Sequence, residues 1–188
     1  IVNGVNIRND PLSDALDQTY TYNRGGLNLR FVNDDRSFNI GVDIQEASLK
    51  GVIQGEQLPI TNSSTRILPR ARFNNDFGIT NIDLRYEAST REPTMRELQP
   101  FADNSDPINV YVGNPDLKSE YQHAGTLHFM LFDQFSFTNL FAYIQARYTT
   151  DKIATSRTID EQFRQTLTSV NVDGDWLLTG SVNFGTPI

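Results

Sequence analysis

The stretch SFNIGVDIQEASL, from Ser37 to Leu49, decides the fold of this chain. Phe38, Ile40, Val42 and Ile44 fall at every second position, and Asn39, Gly41, Asp43 and Gln45 occupy the positions between them. Successive side chains of a β-strand point to opposite faces, so this is one strand with an apolar side and a polar side. Two readings of such a strand remain open. The apolar side packs against a dry interior in a soluble fold, or it meets hydrocarbon in a membrane barrel.

The same period extends in both directions. Between Gln18 and Val32, Leu27, Leu29 and Phe31 oppose Asn28 and Arg30. Between Arg66 and Asn74, Ile67, Ala71 and Phe73 oppose Arg70 and Arg72, with Pro69 either weakening the strand or marking a place where an N–H is not needed. Ile82, Leu84, Tyr86 and Ala88 oppose Asn81, Asp83, Arg85 and Glu87. Leu127, Phe129 and Leu131 oppose Gln122, Thr126 and His128 in a strand from Tyr121 to Phe132. Phe135 to Tyr148 is apolar on both faces in places, which leaves its register open. Trp176, Leu178, Gly180, Val182 and Phe184 oppose Thr179, Ser181 and Asn183. No segment of ten residues carries a 3.6 period. The count is seven or eight long strands. A weaker pair, about Lys152 to Ile159 and Gln165 to Val172, reads as a hairpin standing above the sheet.

Connections alternate in length. The breaks near Asn33, Asn75 and Asp133 are short and rich in Asn and Asp, as tight hairpins require. The others, 50–65, 91–119 and 149–175, read as long loops, and loops of that length are usually functional. Short turns at one end and long loops at the other is the layout of outer-membrane barrels.

Aromatic residues follow the same division. Phe31, Phe38, Phe73, Phe77, Phe132 and Phe135 flank the short breaks. Tyr20, Tyr22, Tyr86, Tyr121, Tyr148 and Trp176 stand where strands meet the long loops. Two such belts suit the two membrane–water interfaces. Soluble sheets also carry aromatics at strand ends, so the belts support the barrel only together with the loop asymmetry. The expected fold is all-β: an antiparallel up-and-down transmembrane β-barrel, with residues 1–188 in one barrel domain. Seven strands would leave two open edges, which lipid does not tolerate, so the chain is expected to be a piece of a larger barrel or to hold a further strand near the N-terminus. The opening residues, Ile1 to Ile7, fit that expectation because they do not read as a start.

Composition excludes several functions. The formal net charge of −7 argues against nucleic acid as a partner, because phosphate binding needs a basic surface. The absence of cysteine removes disulfides and thiolate metal sites. Mean hydropathy is −0.43 and no stretch is long and apolar enough for a membrane helix. Alternating barrel strands keep hydropathy low in any case.

The run LRYEASTREPTMRELQPFADNSDPINVYVGNPDLKSEY, from Leu84 to Tyr121, resembles the outer-membrane β-barrel family of TonB-dependent-receptor-like proteins. Tyr86, Ser89, Thr90 and Pro93 match a strand end; Leu98, Gln99, Asp103, Asn104, Ser105 and Pro107 match the following loop. Gly113, Asn114, Pro115, Leu117, Lys118, Glu120 and Tyr121 match the opening of the next strand. Val170 to Gly174 before Trp176, and Phe184 to Ile188, are similar to the family as well. Ser119 stands where the family often has proline, which is expected to loosen the start of that strand. The resemblance covers about Thr19 to Ile188. It implies a receptor or transporter barrel in a bacterial outer membrane, binding at outer loops and taking up a nutrient. Outer-membrane lipid is the implied surrounding, and an N-terminal plug and a TonB-type energy-coupling protein are the implied partners. Nothing in the chain resembles the plug or the TonB-contacting segment, so the resemblance implies the barrel and not a complete energised transporter.

The chemistry of the loop residues is mainly that of turns. In Asn114-Pro115-Asp116, Pro fixes φ while Asn or Asp bonds the local backbone, and 103–107 repeats the device. No catalytic constellation, phosphate-cradling glycine loop or His-Glu zinc motif is present, so no enzyme and no cofactor are expected. His123 and His128 lie five apart on a strand and point to opposite faces, which argues against a shared metal. Asn171-Val172-Asp173-Gly174-Asp175 misses the spacing of a calcium loop and reads as a turn. Asp103 and Asp106 are the remaining candidates for weak calcium binding, and the main expectation is no metal site. The residues that bind substrate are not identified. Arg30, Arg70, Arg72, Asp43, Asp83, Arg85 and Glu87 share the polar face, which in a barrel is the lumen. Two other functions stay open: a structural or adhesive outer-membrane barrel, and a soluble lipocalin-like barrel with its apolar faces turned inward around a small ligand.

Overall fold

The computed structural model describes residues 16–53, 58–103 and 108–187. Seven long strands form one antiparallel sheet in the order β1-β2-β3-β4-β7-β8-β11. They are β1 (Leu16–Asn33), β2 (Arg36–Ile53), β3 (Leu58–Asp76), β4 (Thr80–Arg91), β7 (Glu120–Asp133), β8 (Thr138–Thr150) and β11 (Asp175–Gly185). A second sheet, β5-β6-β10-β9, is built from the two loops between β4 and β7 and between β8 and β11. Its strands are β5 (Ala102–Asp103), β6 (Asn109–Val112), β9 (Lys152–Ile159) and β10 (Gln165–Val172). The β9–β10 hairpin is the one expected from sequence, with the same bounds. A single-turn helix, α1 (Met95–Leu98), precedes β5.

Burial follows the alternation with its sign reversed from that of a soluble protein. On β2, Val42 is 41% exposed and Ile44 58%, while their neighbours Asp43 and Gln45 are 5% and 6% exposed. Cross-strand pairing carries each face across the sheet. Phe31, Phe38, Phe73, Leu84, Leu127 and Ile144 stand in one register row on the apolar face. The next row on the opposite face joins Arg30, Asn39, Arg72, Arg85, Thr126 and Gln145. A lipocalin-like barrel would place the apolar rows inward. Here they are outside, and the inner face is the one covered by α1 and the loops.

The outer face also shows where lipid ends. Past Ile44, the outward positions of β1, β2 and β3 become Asn23, Glu46 and Thr65, then Thr21, Ser48 and Ser63. A strand needs about 9–11 residues to cross a bilayer, so strands of 18, 18 and 19 residues overrun it at the loop end. This corrects the expected loop at 50–65: Lys50 pairs with Thr61 and Val52 with Pro59, so most of that segment is paired strand. Polar side chains such as Ser48, Lys50, Thr61 and Ser63 on the outward face hide such a strand from a search for apolar alternation. The 91–119 and 149–175 connections are long as expected, but they are structured.

The short breaks are residues 34–35, 77–79 and 134–137. Gly78 takes φ +73° in the second, a left-handed conformation that suits glycine. Phe77 lies in that turn rather than beside it, because β3 runs on through Asp76. The first strand residue of β8 is Thr138, so Phe135 also belongs to its turn. Pro69 comes one residue past the last β3–β4 pair, Arg70 with Glu87, where that ladder has already ended.

Both belts are revised, since Phe132 shares the register parity of His128 and so belongs to the inner face. Tyr86, Tyr121, His123, Tyr148 and Trp176 cluster on the outward face: the Tyr86 hydroxyl is 2.7 Å from His123 Nδ1, and the Tyr148 and Trp176 rings are 4.5 Å apart. Tyr121 meets His123 edge-on at 4.6 Å. Tyr20 and Tyr22 share the register parity of Arg24 and Gln45 and so belong to the inner face.

Candidate functional site

The loop between β4 and β7 folds onto the inner face and roofs it at the loop end. It begins with a capping box: the Thr94 backbone N–H donates to Glu97 Oε2 at 2.8 Å, and the Glu97 N–H donates to Thr94 Oγ1 at 3.3 Å. These two bonds satisfy orphan amides of a helix too short to stand by itself. Met95 and Leu98 then point into a small apolar cluster with Leu49 of β2, Ile60 of β3 and Leu117. Leu98 and Leu117 are 0% and 2% exposed. Burial opposes ionisation of Glu97. The Thr94 backbone N–H, the Arg91 guanidinium and the Thr94 hydroxyl outweigh it and hold the carboxyl below the ordinary glutamate range.

The Gly113-Asn114-Pro115-Asp116-Leu117 run is the latch of this roof. The Gly113 N–H donates to the Gln99 carbonyl at 2.9 Å and the Asn114 N–H to the Glu97 carbonyl at 2.7 Å. A Cβ on Gly113 would lie 2.5 Å from the Gln99 oxygen and 2.7 Å from the Arg96 oxygen, so only glycine allows this approach. Asn114 Oδ1 accepts the Asp116 N–H at 2.9 Å, the local turn expected of Asn-Pro-Asp. The Leu117 carbonyl accepts from Asn62 Nδ2 of β3 at 2.7 Å. Ser119 donates to Glu92, which also accepts from Ser64 Oγ at 2.9 Å. The strand start is thus tied down by that hydroxyl, and the loosening expected from a missing proline is offset.

The second loop is welded to the first. β6 pairs with β10 in parallel, Val110 opposite Thr166. Tyr111 Oη lies 2.7 Å from Ser169 Oγ. The Asn171 amide grips both sides of one residue, accepting the Lys118 N–H at 2.8 Å and donating to the Lys118 carbonyl at 3.0 Å. It also donates to the Asp151 carbonyl at 2.6 Å. Asp175 meets Lys152 Nζ at 2.6 Å, and Gly174 turns the chain at φ +76°. The 171–175 segment is therefore a turn with a structural clip.

Beneath the roof lies a cavity of about 650 Å³, lined among others by Tyr20, Tyr22, Arg24, Gln45, Thr90 and Glu92. The two tyrosine rings stack with centroids 6.4 Å apart. Gln45 donates to Thr90 Oγ1 at 2.6 Å and accepts from Tyr22 Oη at 3.4 Å. Below it, Asp43 is held by Arg24 at 2.6 Å and by Arg70, and Asp83 by Arg72 at 2.6 Å and Arg85 at 3.3 Å.

The charged residues lie on the inner face as expected from the alternation, and the cavity above them has no counterpart in the sequence pattern. Tyr20 and Tyr22 line this cavity instead of an interfacial belt, and Gln45 is the polar-face residue that bonds Tyr22 and Thr90. The signal for α1 in the sequence is the capping box Thr94-x-x-Glu97 before Leu98. His123 and His128 lie on opposite faces as expected, beside Tyr86 and Tyr143 respectively. Asp103 is 3.4 Å from Arg96 Nη2, and Asp106 lies outside the described residues. Among the described residues no three His, Cys, Asp or Glu side chains gather as a metal site.

Two solved structures share this architecture. Over 95% of its length the chain superposes on 28% of a structure described as copper transporter OprC, with a TM-score of 0.70 and 16% identity. Over 94% of its length it superposes on 41% of the siderophore receptor PirA from Pseudomonas aeruginosa, with a TM-score of 0.55 and 13% identity. The chain thus spans less than half the length of either, and at such identity the likeness is one of fold. No curated protein matches the sequence. From residue 6 to residue 188, however, the sequence matches the outer membrane protein beta-barrel family, and the chain, with its apolar rows turned to lipid and its charges turned inward, is a member of that family.

Proposed function

We propose that the chain forms part of a receptor barrel that takes up a nutrient across the outer membrane by TonB-type energy coupling, with a plug domain as its internal partner. The roof carries this reading. An open pore needs an unobstructed mouth, whereas here the loop between β4 and β7 turns inward and buries Met95 and Leu98 against the inner wall. A mouth narrowed by a packed loop suits a barrel that captures a specific solute and opens only when driven. The two structural neighbours, described as a copper transporter and a siderophore receptor, are consistent with that class and name no ligand for this chain.

A structural or adhesive barrel is the second reading. The tip of the β9–β10 hairpin favours it, because Phe163 stands 80% exposed on a turn held rigid by Asp160. In vivo cross-linking of the full-length protein separates the two. Uptake predicts a cross-link to the TonB-type protein that changes when the proton-motive force is collapsed. A full-length protein with neither plug nor cross-link sinks the uptake reading.

A further inference from the structure

The inner wall of β1 to β4 carries charge of opposite sign to the chain as a whole. The chain is net −7, yet Arg24, Arg30, Arg70, Arg72 and Arg85 share this wall with four carboxylates: Asp43, Asp76, Asp83 and Glu87. Asp43 and Asp83 each already serve two arginines. Asp43 Oδ2 alone accepts from Arg24 Nε and Nη2 and from Arg70 Nη1. Arg30 has no ion-pair partner among the described residues. The paired guanidinium side chains remain 39–53% exposed, so each keeps N–H donors turned to the lumen.

The backbone is shaped to hold these groups flat. A Cβ on Gly26 would lie 2.0 Å from Asp43 Oδ1, and one on Gly41 would lie 2.8 Å from both Arg70 Nε and Asn28 Oδ1. The two glycines therefore form a floor on which Asp43 and Arg70 lie along the wall instead of projecting across the lumen. Arg24 lines the cavity under the roof. Arg70, Arg72 and Arg85 line a second, open pocket of about 430 Å³, together with Glu87 and with Asn28 and Asn39 supplying amides. The arginines thus run from the roofed cavity down the wall, bridged by Asp43.

We infer that this wall recognises an anion, so that the solute taken up carries carboxylate or phosphate oxygens. A guanidinium presents paired N–H donors that match such oxygens two at a time, and its charge survives any physiological pH. The inference rests on the uptake reading and names the substrate class of the same lumen. Its probes are citrate and inorganic phosphate, titrated calorimetrically into the full-length protein in detergent at low salt, with sucrose as the uncharged control. The expected result is binding of at least one anion, weakened by added salt and weakened at least tenfold in the double variant Arg30→Gln/Arg85→Gln. Arg30→Lys, which keeps the charge without the paired donors, should weaken binding less than Arg30→Gln does, and retained heat-modifiable gel mobility reports that the variants fold. Three results would overturn the inference: no binding of either anion, equal binding of sucrose, or a double variant that loses thermal stability while its anion affinity is unchanged. The last would assign the wall to protein packing. Binding in detergent needs no energy coupling, so failure here leaves the uptake reading standing. Conversely, an intact anion site without any TonB cross-link refutes that reading alone.

Discussion

Gly113 shows how one missing side chain fixes the roof. Its Cα passes so near the Gln99 and Arg96 carbonyls that a methyl group has nowhere to go, and the neighbours in the way are backbone. Gly113→Ala should therefore destabilise the loop by about 1–3 kcal/mol, the usual range for overpacking. Hydrogen exchange at the Leu98, Gln99 and Asn114 amides in the full-length protein measures it, and unchanged protection would remove Gly113 from the latch. Asn171 works by the opposite means, through a side chain that replaces backbone. Asn171→Ala strips partners from the Lys118 N–H, the Lys118 carbonyl and the Asp151 carbonyl. Groups left without partners cost about 1–3 kcal/mol when they stay dry. Limited proteolysis should accordingly cut the β9–β10 hairpin loose from the first loop before the barrel strands are touched. Resemblance pointed to this part of the chain, but it supplied only an ordered set of letters. Asn114 and Leu117 stood in the matching run, and their turn was predictable. That Asn171 closes on Lys118 was not, because the two are 53 residues apart and neither belongs to a period.

At the scale of elements, legibility depended on having two different faces. β2, β4 and β7 could be read because one side meets lipid and the other does not, so period 2 is written into the sequence. The ends of β2 and β3 past the membrane could not, since their outward positions turn polar and their few apolar inner residues, Leu49 and Ile60, pack under α1 at no regular period. The helix α1 failed for another reason: four residues are too few for any 3.6 pattern, and only the capping box marks it. That box gives a test. Thr94→Ala should cost about 1 kcal/mol of loop stability, the typical value of a lost N-cap. Glu97 adds a dependence on pH with a definite sign. Its carboxyl titrates lower in the folded loop than in an unfolded chain, so its contribution is complete above the ordinary glutamate pKa of about 4.3 and is lost as pH falls through the depressed folded value. Protease resistance of the loop should fall in that acidic window. Glu97→Gln, which keeps a capping partner without the titrating group, should flatten the response.

For the whole molecule the governing quantity is which face meets hydrocarbon, and two neighbouring residues can decide it. Ile144 lies in the outward row with Leu127 and Gly180, and Gln145 in the inner row with Thr126 and Thr179. They differ by one position in sequence and by the full thickness of the wall in environment. An arginine at position 144 must bring its charge into lipid, for which barrels show a cost of about 2–4 kcal/mol near the bilayer midplane. An arginine at position 145 enters a face that already holds Arg72 and Arg85 in the same register row, where water solvates it. Folding titrations of the full-length protein into lipid vesicles should thus find Ile144→Arg severely destabilised and Gln145→Arg within about 1 kcal/mol of the parent. Trp176 checks the same geometry without adding charge. It is the only tryptophan of the chain and is exposed on the outward face beside Tyr148. Its emission, isolated as the difference between the parent and Trp176→Phe, should be quenched by lipids brominated near the headgroup and little affected by aqueous acrylamide. If acrylamide quenched it fully while brominated lipid did not, the ring would sit in water, and the outward face would not be the one that meets the membrane.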